Sequence, residues 1–169
     1  MEATDLARKT AEIASRDVAA RVRETSKNRG KRIEQYQATV GAKTGAAYCI
    51  AAICTWVKEA CNELQCKHEI LFSPSCLRFL EYAKKTAHAF LPSELKPEMI
   101  PCIGIIDHGK GLGHAVLIIG MDDFEDGGGT KLATIEANTG SGDLSRDGDG
   151  VYAKNVRLLV DLVGCVRIA

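Results

Sequence analysis

The stretch PEMIPCIGIIDHGKGLGHAVLIIGM, residues 97–121, decides the fold class. It holds two apolar, β-branched runs, Ile103–Ile106 and Ala115–Met121. A glycine- and aspartate-containing turn, Asp107–Gly113, parts them, which is the pattern of strands joined by a tight connection. The same alternation continues downstream. Lys131–Glu136 and Val156–Ile168 read as further strands, the last long enough for two. The turns Asp122–Gly129, with a hairpin turn at Asp126–Gly129, and Gly140–Gly150 separate them.

Upstream of Pro97 the period changes to that of helices. Ala7, Ala11, Ala14, Val18 and Val22 recur every three or four residues and form a narrow stripe of small side chains. Asn28-Arg29-Gly30 is read as the end of that helix, with Gly30 supplying the left-handed closing residue. A short helix is expected over Arg32–Ala38, then a turn framed by Gly41 and Gly45. The widest apolar face belongs to Ala47–Leu64: Ile50, Ile53, Val57, Ala60, Cys61 and Leu64, joined by Trp56. A third long helix is expected after Ser73-Pro74, capped by Ser73 or Ser75, continuing through Cys76, Phe79, Leu80, Ala83, Ala87 and Phe90 and stopped at Leu91-Pro92. Helices first and strands after predict an α+β fold, with N-terminal helices packed on a C-terminal antiparallel sheet. One domain over residues 1–169 is expected: an N-terminal helix (1–27), a helical part (28–98) and a sheet part (99–169).

Composition narrows the function classes. The 169 residues are 46% hydrophobic, and 22 Lys and Arg balance 22 Asp and Glu. That apolar content excludes a disordered chain. With no net positive charge there is no electrostatic case for nucleic acid as a partner. No run reaches the roughly 18–20 apolar residues of a membrane span. The start, Met1-Glu2-Ala3-Thr4-Asp5, lacks a basic segment followed by an apolar one, so synthesis in a cytoplasm without a signal peptide is expected. There are seven cysteines, an odd number, and most of them read as buried thiols and not as disulfides. Cys61, Cys66, His68 and Cys76 could suggest a zinc-bound interaction domain. They include no Cys-x-x-Cys pair, and Cys61 falls on an apolar helix face, so no metal is expected.

Three positions carry chemistry. Cys49 opens the strongest helix, where unpaired backbone N–H groups and the positive end of the helix dipole favour a thiolate. The same N–H groups could donate to an oxyanion. His114 begins a strand after a glycine-rich loop, a rigid and approachable place for a general base. His108, in the loop before it, is the second choice; His68 and His88 read as surface or partly buried residues. Glu136 and Asn138 end a strand two residues apart, on one face. Either could accept the Nδ1–H of an imidazole and fix its tautomer.

In this order the chain resembles the CHAP family, the cysteine, histidine-dependent amidohydrolases/peptidases of papain-like fold. The matching pieces are Asn28-Arg29-Gly30, Tyr48-Cys49-Ile50-Ala51-Ala52 with Trp56, Pro101–Ile106, Gly113-His114-Ala115-Val116, Ile135-Glu136-Ala137-Asn138-Thr139 and Asp147-Gly148-Asp149-Gly150-Val151-Tyr152. The resemblance covers roughly residues 15–160. The resemblance implies Cys49 as nucleophile, His114 as base and Glu136 as orienting residue, with Asn138 supporting the site or sharing that role. It implies cleavage of amide bonds in peptidoglycan, as an N-acetylmuramoyl-L-alanine amidase or endopeptidase, through a thioester and without a cofactor. Many such domains are phage lysins, which reach the wall after release. Tyr48 stands where many relatives carry glutamine. Tyr48 and Trp56 are therefore candidates for the oxyanion or the substrate. An acyltransferase or transpeptidase would use the same thioester, and a non-catalytic module binding wall peptides or a protein would use the same scaffold.

Overall fold

Alternation along the strands creates two buried faces, and the chain covers each with a different part of itself. The computed structural model describes residues 2–123, 129–141 and 147–169. Four α-helices come first: α1 (Asp5–Ala19), α2 (Lys31–Thr39), α3 (Cys49–Leu64) and α4 (Cys76–Lys85). Six strands follow: β1 (Ala89–Phe90), β2 (Cys102–Asp107), β3 (Gly113–Asp123), β4 (Thr130–Thr139), β5 (Gly150–Leu158) and β6 (Gly164–Val166). They form one sheet in the order β1-β6-β2-β3-β4-β5, with every pairing antiparallel. The protein is thus α+β, helices N-terminal and sheet C-terminal, as its sequence predicts.

One face of the sheet, with Ile103, Ile105, Ala115, Leu117, Ile135 and Ala137, packs on α3 and its neighbours. Ala7 and Ala14 of α1 are fully buried in the same cluster, where their small size permits close helix contact. The opposite face, with Cys102, Val116, Ile118 and Leu132, is covered by Leu95 and Leu162 from the connecting segments. No helix among the described residues is long and apolar enough to cross a membrane.

Two helix ends differ from expectation. The α1 helix stops at Ala19, and Arg21 takes a left-handed φ of 51°. Val22 leaves the apolar stripe because its carbonyl accepts from Val151 N–H at 3.1 Å, while Glu24 N–H donates to Asp149 at 2.7 Å. The segment thereby pairs with the start of β5. Gly150 permits this approach, since a Cβ there would lie 2.6 Å from the Val22 carbonyl oxygen. Gly30 does not close α1; it precedes α2, with φ of 148°. The α4 helix ends at Lys85, not at Phe90: Ala87 is left-handed and Phe90 enters β1, paired with Cys165. Ser75 is its cap, accepting from Arg78 N–H at 3.4 Å. The expected turns at Asp122–Gly129 and Gly140–Gly150 lie partly outside the described residues.

Candidate active site

The site forms where the beginnings of α3, α4 and β3 meet. Cys49 is the first residue of α3, whose first internal bond runs from Ala52 N–H to the Tyr48 carbonyl at 2.9 Å. The N–H groups of Cys49, Ile50 and Ala51 therefore have no carbonyl within the helix to bond, and Cys49 sits at the positive end of the helix dipole. Cys76 is the first residue of α4, and its Sγ lies 3.5 Å from that of Cys49. Both thiols are buried. Hydrogen bonding from Cys76 holds the Cys49 thiol well below its usual range, against the opposing cost of burial, with His114 and the Ala115 N–H adding to the effect.

His114 is fully buried on β3. Its Nε2 lies 2.9 Å from Oε2 of Glu136 on β4. An ionised carboxylate only accepts, so Nε2 carries the proton and Nδ1 is left as the basic nitrogen. Nδ1 makes no hydrogen bond of ordinary geometry, yet Cys49 perturbs the titration of the ring. The thiol–imidazole contact is thus looser than a full hydrogen bond. Burial pushes the His114 pKa down, but Cys49 and Glu136 together raise it above the ordinary value. The ring is turned opposite to expectation: Nε2, not Nδ1, meets the carboxylate.

Glu136 is held by more than histidine. Thr134 Oγ1 donates to Oε1 at 2.8 Å. Arg157 donates from Nε to Oε1 at 3.0 Å and from Nη2 to Oε2 at 2.8 Å. Lys154 Nζ stands 4.0 Å from Oε2 and donates to Thr139 Oγ1 at 2.6 Å. Burial alone would raise the Glu136 pKa; the bonds from His114 and Arg157 bring it down to about 2.

The other expected residues are placed differently. Asn138 is buried with a left-handed φ of 59°, at an irregularity of the β4–β5 register between Ala137 and Thr139. That break ends the alternation that would have aligned it with Glu136, and its carbonyl accepts from Gly148 N–H at 3.2 Å. Tyr48 is fully buried, stacked on Tyr36, with its hydroxyl donating to Glu24 at 3.1 Å. Trp56 is also fully buried, and its Nε1 donates to Asp17 Oδ2 at 2.7 Å. Neither polar group is free for an oxyanion or substrate, so both are corrected to packing and anchoring roles. His108 is exposed on its loop. Among the described residues, no group of three or more His, Cys, Asp or Glu is placed to hold a metal ion. Cys76 faces Cys49, which removes it from any set with Cys61, Cys66 and His68.

Sequence reading missed Cys76, Lys154 and Arg157. Cys76 shares the signal used for Cys49, a thiol opening a helix, and that rule applied evenly would have found it. No family model, curated protein or solved structure matches the chain.

Proposed function

We propose that the protein is a cysteine hydrolase that cleaves amide bonds through a thioester. The observation that carries this reading is the His114 ring, fixed at Nε2 by Glu136 with its basic nitrogen left for a helix-terminal thiol of depressed pKa. A buried, oriented imidazole beside an activated thiol is the arrangement that nucleophilic catalysis needs.

In this reading His114 Nδ1 takes the Cys49 proton, giving a thiolate–imidazolium pair. The sulfur attacks the amide carbonyl carbon, and the resulting oxyanion is met by the Cys49 N–H at the head of α3. As the C–N bond breaks, Nδ1–H protonates the leaving amine. Water then gives a proton to Nδ1 and attacks the thioester, releasing the acid and restoring Cys49. Glu136 keeps Nε2 protonated and the ring in place throughout.

The substrate follows from the resemblance to the CHAP family and its papain-like fold. It is peptidoglycan, cut at the sugar–peptide amide or within the peptide, with the enzyme acting on the wall after release from the cytoplasm. The test is digestion of purified peptidoglycan by wild type and Cys49→Ala, with mass spectrometry of the products. Fragments from wild type alone are expected, their new termini identifying the bond. Fragments from both proteins would overturn the assignment. Capture of the cleaved acyl group by an added amine would make the protein an acyltransferase instead.

A further inference from the structure

Cys76 takes no part in the hydrolytic sequence, yet its sulfur is in contact with the nucleophile. We propose that Cys49 and Cys76 form an oxidisable dithiol, in which Cys49 is oxidised by peroxide and Cys76 closes it to a reversible intramolecular disulfide. The inference goes beyond the hydrolytic reading and does not depend on which amide is cut.

The placement is built from several elements. The sulfurs lie 3.5 Å apart, and a bond would bring them to about 2.0 Å. Each cysteine is the first residue of a helix; the Cys49 thiol is held well below its usual range, while hydrogen bonding to Cys49 and burial push the Cys76 thiol up, so that Cys76 keeps its proton. Gly113 makes room for the second thiol: a Cβ at that position would stand 3.0 Å from Cys76 Cβ. His114, beside it on the same strand, supplies the base.

The chain carries its own comparison. Cys102 and Cys165 are also fully buried, and the side chain of Cys165 raises the Cys102 pKa well above the usual thiol. They lie inside β2 and β6, away from any helix N-terminus. Cys102, kept protonated in this way, reacts slowly with peroxide, because the thiolate is the nucleophile.

The chemistry balances with hydrogen peroxide as oxidant. His114 takes the Cys49 proton, the thiolate attacks one peroxide oxygen, the O–O bond breaks, and the leaving hydroxide takes that proton back from His114 as water. Cys49 is then a sulfenic acid. The Cys76 sulfur attacks the Cys49 sulfur, the S–O bond breaks, and the departing hydroxide takes the Cys76 proton as a second water. The two thiols lose two electrons and peroxide gains them. The disulfide masks the nucleophile and blocks further oxidation to sulfinic or sulfonic acid; a thiol reductant reverses it.

The experiment treats wild type, Cys76→Ala and Cys76→Ser with hydrogen peroxide, alkylates the remaining thiols, and maps peptides by mass spectrometry. No activity assay is involved, so a wrong hydrolase reading leaves the result interpretable. Tryptic peptides 44–58 and 68–78 should be cross-linked in wild type, with fragmentation placing the bond on Cys49 and not on Cys54. Dithiothreitol should restore both thiols. In either variant Cys49 should pass to sulfinic and sulfonic acid that dithiothreitol leaves unchanged. No Cys49–Cys76 cross-link in wild type would overturn the proposal. So would equal over-oxidation of Cys49 in wild type and in a variant with wild-type circular dichroism.

Discussion

Arg157 grips both oxygens of Glu136 from the neighbouring strand, at 3.0 and 2.8 Å, with all three partners of the His114–Glu136–Arg157 chain buried. Both contacts are charge-assisted and parallel, the strong form of such a pair. The consequence is that the carboxylate orienting His114 is itself immobilised and its charge balanced. Removing the cation should cost more than removing a surface charge. Arg157→Met is expected to destabilise the fold by about 3–5 kcal/mol, because it leaves Glu136 buried without the guanidinium that grips both its oxygens. Arg157→Lys should recover part of that loss but not the paired geometry. Urea unfolding of the three proteins at neutral pH measures both.

The acid limb of stability should carry the signature of Glu136. Its folded pKa, about 2, lies below the ordinary 4.5. A depressed carboxylate stabilises the fold fully above its unfolded pKa and loses that contribution as pH falls through the folded value. The window is therefore pH 4.5 down to about 2, and the contribution, at about 1.4 kcal/mol per pH unit, is about 3 kcal/mol. Glu136→Gln should be less stable than wild type near neutrality, with the gap closing across that window. A constant gap down to pH 2 would assign the loss to packing.

The same substitution should move His114. Its folded pKa is raised above 6.5, with Cys49 and Glu136 overcoming burial. Gln at 136 can still accept from Nε2, but it brings no negative charge and leaves the Arg157 cation nearby. The imidazole midpoint, followed by NMR, should fall in Glu136→Gln. The upper limb of any activity that needs the imidazolium as acid should move to lower pH with it. An unchanged midpoint would separate Glu136 from control of the base.

Much of this was legible from residue order, and the exceptions have physical causes. The strands at Ile103–Ile106 and Ala115–Met121 announce themselves by β-branched runs, and Cys49 by its place at a helix start. Arg157 was hidden by a bulge. In the register Leu132 pairs with Arg157 and Thr134 with Lys154, two steps on β4 against three on β5. A regular strand would put Lys154 and Arg157 on opposite faces; the extra residue brings both to Glu136. Phe90 misled for a different reason. It continues the helical spacing of Phe79, Leu80 and Ala83, but the left-handed Ala87 redirects the chain and pairing with Cys165 outweighs the local pattern.

Gly113 ties the fold to the site, so its substitution should affect both. A Cβ there would meet Cys76 Cβ at 3.0 Å and the Ile106 carbonyl oxygen at 3.3 Å. Gly113→Ala should cost about 1–3 kcal/mol as an overpacked position. It should also push Cys76 from Cys49, slowing iodoacetamide alkylation of Cys49 at pH values below an ordinary thiol pKa of about 8.5. Thermal unfolding and labelling rates read the two effects separately. Loss of stability with unchanged labelling would show that α4 shifts without disturbing the thiol pair.

Trp56 provides the opposite case, a buried aromatic whose role is confined to the scaffold. Asp17 Oδ2 accepts from Trp56 Nε1 at 2.7 Å, from the Tyr36 hydroxyl at 2.6 Å and from Arg32 Nη2 at 2.9 Å, joining α1, α2 and α3. Trp56→Phe keeps most of the ring volume but removes one donor from a buried carboxylate. It should cost about 1–3 kcal/mol, the penalty of an under-satisfied buried acceptor plus a small cavity. The Cys49 alkylation rate at a fixed pH should stay at the wild-type value, because α3 keeps its first turn and the thiol keeps Cys76 and His114. A labelling rate that falls with stability would mean that the α1–α2–α3 junction sets the position of the nucleophile. The Asp17 cluster would then belong to the working parts of the site.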